Sequence, residues 1–218
     1  MTRHPARLRH AGLALGLLAV LLAGCKLFDP ASPEVGGGGS VLFTNYSYPD
    51  SCLEYMRLGV ERKDNAGQTA YIGALADSVK DGVGFHAFFD PAVLAAYSGI
   101  IPADWDLQHE SELFYPAFIR LFSDPYAMSW LPDSVHPIDD RGDDAQVLHR
   151  RYVVRVLRSS AIDTIAIGYA DLYFKRISAS RWGLIRWEDR VDPAVGVQPA
   201  DPLQQTFGSR RLKASSGG

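Results

Sequence analysis

Gly168-Tyr169-Ala170-Asp171-Leu172-Tyr173-Phe174-Lys175 and, after a turn at Ser178-Ala179-Ser180, Trp182-Gly183-Leu184-Ile185-Arg186-Trp187-Glu188-Asp189 decide the fold. In the first stretch, carried back to residue 162, Ile162, Ala166, Gly168, Ala170, Leu172 and Phe174 fall on one side. Tyr169, Asp171, Tyr173 and Lys175 fall on the other, the two-residue period of a strand with one buried face. In the second stretch Trp182, Leu184, Arg186 and Glu188 share a side. Upstream, residues 145–158 repeat the pattern, with Leu148, Tyr152, Val154 and Val156 opposed to His149, Arg151 and Arg155. Three long strands with short turns predict an antiparallel meander, buried on one side and wet on the other. Residues 204–212 are expected to add an edge strand.

Outward from these strands the period changes. Pro49-Asp50-Ser51 is a helix start, with Asp50 or Ser51 as N-cap and Glu54 placed for a capping box. Leu53, Met56 and Val60 mark the buried face, the polar run 63–67 ends the helix, and residues 68–76 predict a second one. Residues 84–89 suit a short strand and 91–97 a helical turn. A longer helix is expected over 106–122, with Leu107, Phe114, Phe118, Leu121 and Phe122 on one side and Pro116 as a kink unless it falls in a first turn. Helices first and a meander after them make an α+β domain.

The two quoted strands, with the helical start before them, resemble nuclear transport factor 2-like domains, most of all those of bacterial lipoproteins with no assigned role. The resemblance spans residues 49–192 and implies a cone in which N-terminal helices pack on a curved antiparallel sheet around a concave pocket. Gly168 and Ala170 are small where a bent sheet needs room, and Trp182 and Trp187 supply bulk on the next strand. The fold implies no single activity, because such domains serve as isomerases, dehydratases, cyclases, ligand binders and interaction modules.

The N-terminus speaks of address. Arg3, Arg7 and Arg9 precede thirteen uncharged, mostly apolar residues, 11–23, too few for the roughly 20 that span a bilayer but suited to an export signal. Leu22-Ala23-Gly24-Cys25 resembles the lipobox of bacterial lipoproteins, which implies cleavage before Cys25 and acylation of Cys25. Two acyl chains give stable membrane attachment. Lys26 in place of Asp implies, in a Gram-negative host, export to the outer membrane. The domain plan is therefore a signal peptide over 1–24, a Gly/Pro-rich tether over 25–40, one domain over 41–213 and a disordered tail over 214–218. A flexible tether of that length spans about 20 Å.

Of the 218 residues, 22 are Lys or Arg and 25 are Asp or Glu, a formal charge of −3. Loss of the signal removes three Arg and no acid, leaving 19 basic residues against 25 acidic, or −6. That sign argues against nucleic-acid binding. With Cys25 acylated, Cys52 has no partner thiol and reads as a small core hydrophobe. His109-Glu110-Ser111-Glu112-Leu113 lacks the second His of a zinc helix, and the acidic run 136–144 does not have calcium-loop spacing, so no metal or cofactor is expected.

Enzymes of the resembled family set a carboxylate or His beside a Tyr in a dry cavity, because proton abstraction next to a carbonyl needs a base and an oxyanion donor. The strand faces place no such pair. Tyr152, Trp182, Arg186 and Glu188 are the pocket candidates, the last two at its mouth, and His86 is the one isolated candidate for a general base. Three functions are thus expected in order. The first is an envelope lipoprotein with a non-catalytic cone for a small apolar ligand or an envelope protein. The second is a lyase or isomerase of the polyketide cyclase or ketosteroid isomerase kind. The third is a homodimeric assembly subunit that uses an exposed apolar patch at Ile165, Ile167 and Tyr169.

Overall fold

The computed structural model describes residues 44–97, 104–197, 201 and 203–216. The chain divides into units Met1–Ser40 and Val41–Gly218, and the described residues belong to the second. The expected export signal, Cys25 and the expected tether lie outside them.

Helix α1 (Pro49–Arg62) begins two residues earlier than an Asp50 cap would place it. Tyr48 is the N-cap, Pro49 sits at the first helical position where its missing N–H costs nothing, and the Tyr48 N–H donates to Ser51 Oγ at 3.2 Å. Glu54 is taken by Arg57 at 2.6 Å instead of closing a capping box. Helix α2 (Asn65–Gly73) is capped by Asp64, whose carboxylate accepts from the Gly67 N–H at 2.7 Å. Short helices α3 (Ser78–Asp81) and α4 (Pro91–Ala96) flank strand β1 (His86–Phe88), and β2 (Trp105–Asp106) leads into α5.

Helix α5 runs through Leu107–His109, a π-helical turn Glu110–Phe114, and Tyr115–Ile119. The Tyr115 N–H donates to the Glu110 carbonyl five residues back, the wide turn that defines a π-bulge. Pro116 follows at once, in the first turn of the last segment. The widened turn admits a residue with no N–H to give, so the expected kink is a π-bulge.

Strands β3 (Tyr126–Pro132), β4 (Asp140–Arg141), β5 (Ala145–Leu157), β6 (Ile162–Ser178) and β7 (Arg181–Arg190) complete a sheet of order β2-β1-β7-β6-β5-β3, with β4 beside β5. Its pairs are antiparallel except β1 with β7, so the sheet is mixed where a pure meander was expected. Two bulges change the inward faces. Val154 pairs with Ala166 and Arg155 with Thr164, which leaves Ile165 as an extra, buried residue on β6. Ile162, beyond that bulge, is 67% exposed. Tyr173 pairs with Arg186 and Phe174 with Leu184, so Ile185 is extra on β7. Trp182 and Leu184 point inward before that bulge, and Trp187 and Asp189 point inward after it.

The largest departure lies at the C-terminus. Residues expected as an edge strand form helix α6 (Phe207–Ser215), with Thr206 as N-cap accepting from the Ser209 N–H at 3.0 Å. Only the residues just before it pair with the sheet, through a bridge between Gln205 and Ala166. The helix includes Ala214 and Ser215, which therefore belong to α6 and not to a disordered tail. Its approach covers Ile167, whose N–H donates to the Gln205 carbonyl at 2.8 Å. Ile165 is fully buried, Ile167 is 9% exposed, and Tyr169 lies under the guanidinium of Arg190 at 5.7 Å. The apolar patch that an assembly subunit would have used is not exposed.

The core joins Cys52, Met56 and Val60 of α1, Tyr71 and Leu75, Phe114 and Phe118 of α5, and the inward residues of β5, β6 and β7. Burial pushes the Cys52 thiol up to about 12, in keeping with a core hydrophobe. Gly168 sits opposite Tyr152, and a methyl on it would overlap the Tyr152 hydroxyl. Among the described residues no helix is long and apolar enough to cross a membrane.

Candidate functional site

The inner face of the sheet, across from α5, is occupied by the chain's own α6. Phe207 enters first and is fully buried. Its ring stacks on Tyr152 at 4.5 Å and meets Trp187, Phe118 and Phe114 edge-on at 5.2, 5.3 and 5.5 Å. One turn later Arg211 goes deeper, with no exposed surface. Its guanidinium lies 4.4 Å from the Trp187 ring and 5.0 Å from that of Phe114.

Glu110, also fully buried, receives it. Arg211 Nε donates to Glu110 Oε2 and Nη2 to Oε1, both at 2.8 Å, the bidentate geometry that makes such pairs strong. Trp105 Nε1 donates to Oε2 and the Tyr71 hydroxyl to Oε1, each at 2.7 Å. Burial opposes the charge on Arg211, but the Glu110 carboxylate outweighs it and holds the guanidinium above its ordinary pKa. Burial, and then the charge of Glu110, pushes the Tyr71 hydroxyl well above the ordinary tyrosine value. The π-bulge begins at Glu110 and so belongs to the element that presents this carboxylate.

A second buried acid lies nearby. The Tyr152 hydroxyl donates to Asp189 Oδ1 at 2.6 Å, and both residues are buried. This is the carboxylate beside a tyrosine that the strand faces did not place. Both groups also hold the start of α6. The Phe207 N–H donates to the Tyr152 oxygen at 2.9 Å and the Gly208 N–H to Asp189 Oδ2 at 2.8 Å. Burial raises the Asp189 pKa against the opposing pull of Arg211, Tyr152 and the Gly208 N–H. An anion at a helix N-terminus satisfies donors that otherwise have no partner.

Of the sequence candidates, the structure brings Tyr152 and Trp182 to the interior face. Trp182 lies over α1, where its carbonyl is 3.6 Å from Cys52 Sγ, and it is not part of the Glu110 cluster. Arg186 and Glu188 are not at a pocket mouth. The bulge at Ile185 turns them to the outer face, where they pair with each other and Arg186 stacks on Phe88 at 4.4 Å. His86 lies outside the cone on β1, 42% exposed, its Nδ1 2.8 Å from Asp104. It lines an open cleft of about 450 Å³ with Asp77, Asp106 and Glu112. The residues missed were Glu110, Trp187, Asp189 and Arg211. A polar residue recurring inside an aromatic helix was the available signal for Glu110.

Within the acidic run 136–144, Asp139 is tied down. Asp139 pairs with Arg150 at 2.6 Å and with Arg141 at 2.8 Å. Nearby Asp133, with no exposed side-chain surface, accepts from Arg190 and from the Val135 N–H, each at 2.7 Å. Burial alone would raise its pKa, but Arg190 and the backbone donors hold it at about 2, against an ordinary 3.8. A depressed carboxylate contributes its stability above the unfolded value and loses it as pH falls through the folded one. Urea midpoints should therefore drop between pH 4 and pH 2 by an amount worth about 2 kcal/mol for this residue. In Asp133→Asn that part of the pH dependence should vanish. Among the described residues no group of His, Cys, Asp and Glu is placed to hold a metal ion.

No family model matches the chain, and no curated protein matches it. Solved structures do. A protein of unknown function from Mycobacterium tuberculosis is 13% identical with a TM-score of 0.51, covering 77% of this chain and 92% of that one. An NTF2-like protein with a cystatin-like fold from Novosphingobium aromaticivorans is 11% identical with a TM-score of 0.44, covering 65% and 78%. A nuclear transport factor 2-like superfamily protein from Salmonella enterica is 12% identical with a TM-score of 0.44, covering 67% and 90%. Of these three, the first alone exceeds a TM-score of 0.5, and at 13% identity it speaks to fold alone. The fold is an α+β cone of helices against a curved mixed sheet, and proteins described as nuclear transport factor 2-like are among the structures similar to it.

Proposed function

We propose that the protein is a lipid-anchored lipoprotein of the bacterial cell envelope whose nuclear transport factor 2-like domain is a non-catalytic binding module, held shut by its own C-terminal helix. The observation that carries the non-catalytic reading is how the buried acids of the cone are used. The two oxygens of Glu110 accept four hydrogen bonds, and those of Asp189 accept from Tyr152 and from the first turn of α6. A general base needs a lone pair aimed at substrate, and here those lone pairs are spent on the fold. The anchor is supported by Arg3, Arg7 and Arg9, the apolar run 11–23 and the sequence Leu22-Ala23-Gly24-Cys25.

Labelled palmitate should enter the unaltered protein in a Gram-negative host and fail to enter Cys25→Ala; a labelled variant would refute the anchor. A second reading is favoured by the Tyr152–Asp189 pair, the acid and hydroxyl of a lyase or isomerase. Asp189→Asn separates the two, since a capping role predicts loosening of α6 with the rest of the fold retained. An unchanged α6 in that variant would favour the catalytic reading.

A further inference from the structure

The Glu110 cluster has the parts of a cation receptor. Trp187 and Phe114 stand at the guanidinium, the π-faces that attract a cation. Beneath them a carboxylate is already oriented by Tyr71 and Trp105, independently of α6. A fork of two parallel bonds selects the planar guanidinium over an ammonium, which offers a point charge instead. Arg211 Nη1 and Trp187 Nε1 are buried and find no acceptor, and a buried donor left unpaired penalises the state that holds it. Arg211 is also delivered by a nine-residue helix whose exit breaks, among the described residues, no sheet pairing beyond the Gln205 bridge.

We infer that this cage is a guanidinium-recognition site, closed at rest by Arg211, and that its ligand is an arginine-bearing peptide segment that takes the place of α6. This assigns a ligand class to the closed binding module proposed above and rests on that reading. The cage recognises the head group, and the surrounding aromatic wall of Tyr152, Phe118 and Phe114, now filled by Phe207, would take an apolar neighbour of the arginine.

The test is chemical rescue in the full chain. Arg211→Ala empties the cage and leaves Glu110 uncompensated, so it should melt well below the unaltered protein. Guanidinium or methylguanidinium chloride in the low millimolar range should raise its Tm by about 3–6 °C at ten times the dissociation constant. Ammonium and methylammonium chloride at equal concentration should not. Equal response to the two cation types in the folded variant would overturn the proposal. If Arg211→Ala does not fold, the unaltered chain decides. N-acetyl-arginine amide should then speed thermolysin cleavage within α6 severalfold over N-acetyl-lysine amide, and equal rates would overturn the proposal. Failure of either arm while α6 stays protected removes the ligand class only. An α6 that is unprotected without any ligand removes the closed module itself.

Discussion

Glu110→Ala is expected to cost about 3–5 kcal/mol of stability, the range for breaking a buried pair and stranding its partner. Arg211 would be left with no exposed surface and no anion, and Tyr71 and Trp105 would each lose their acceptor. Removing both charges is a different experiment, because a buried ion pair is held at a large desolvation cost and an apolar replacement of similar volume is often neutral. Glu110→Leu combined with Arg211→Met should therefore recover much of the loss. The Tyr71 hydroxyl and the Trp105 N–H, still without an acceptor, should keep it short of the original. Urea unfolding followed by tryptophan fluorescence reads both. A Glu110→Ala variant as stable as the original would mean that Arg211 does not occupy the cone in solution.

Phe207→Ala should be nearly as costly, about 3–5 kcal/mol, since it empties a ring-sized volume at the centre of the core. The residues that lose contact come from two layers, Phe114 and Phe118 of α5 and Tyr152 and Trp187 of the sheet. Neither layer can collapse onto the other without moving the other's frame, so little of the cavity can be recovered by relaxation. The change should also loosen α6 selectively. Amides of Phe207–Ser215 are expected to exchange faster by a larger factor than those of β5 and β6, and a uniform acceleration would indicate that α6 is not a separable unit.

The strands were legible because their alternation runs over many residues and the inward side chains of β5, Leu148, Tyr152, Val154 and Val156, hold to it except at Arg150. The site was not, and one inserted residue explains much of that. Ile185 shifts the register of β7 by one, so Trp187 and Asp189 replace Arg186 and Glu188 on the inner face. A period-two reading has no way to anticipate that slip, because a bulge is fixed by pairing with the neighbouring strand. Residues 204–212 failed for a related reason. Leu212 and Phe207 do not share one face of an isolated helix with obvious regularity, and buried Arg211 reads as polar exposure until its partner Glu110 is known, as Arg210 does until the Ile165 carbonyl is. Glu110 is the complementary case, a charge inside an aromatic helix whose use depends on a residue 101 positions away.

Amide hydrogen exchange of α6 in the free, full-length protein tests the central claim most directly. If the helix closes the cone, the amides of Arg211 and Leu212 will exchange on the timescale of buried strand amides such as that of Leu172. Exchange at the rate of an open peptide, with the sheet still protected, would contradict the closed cone and the function built on it.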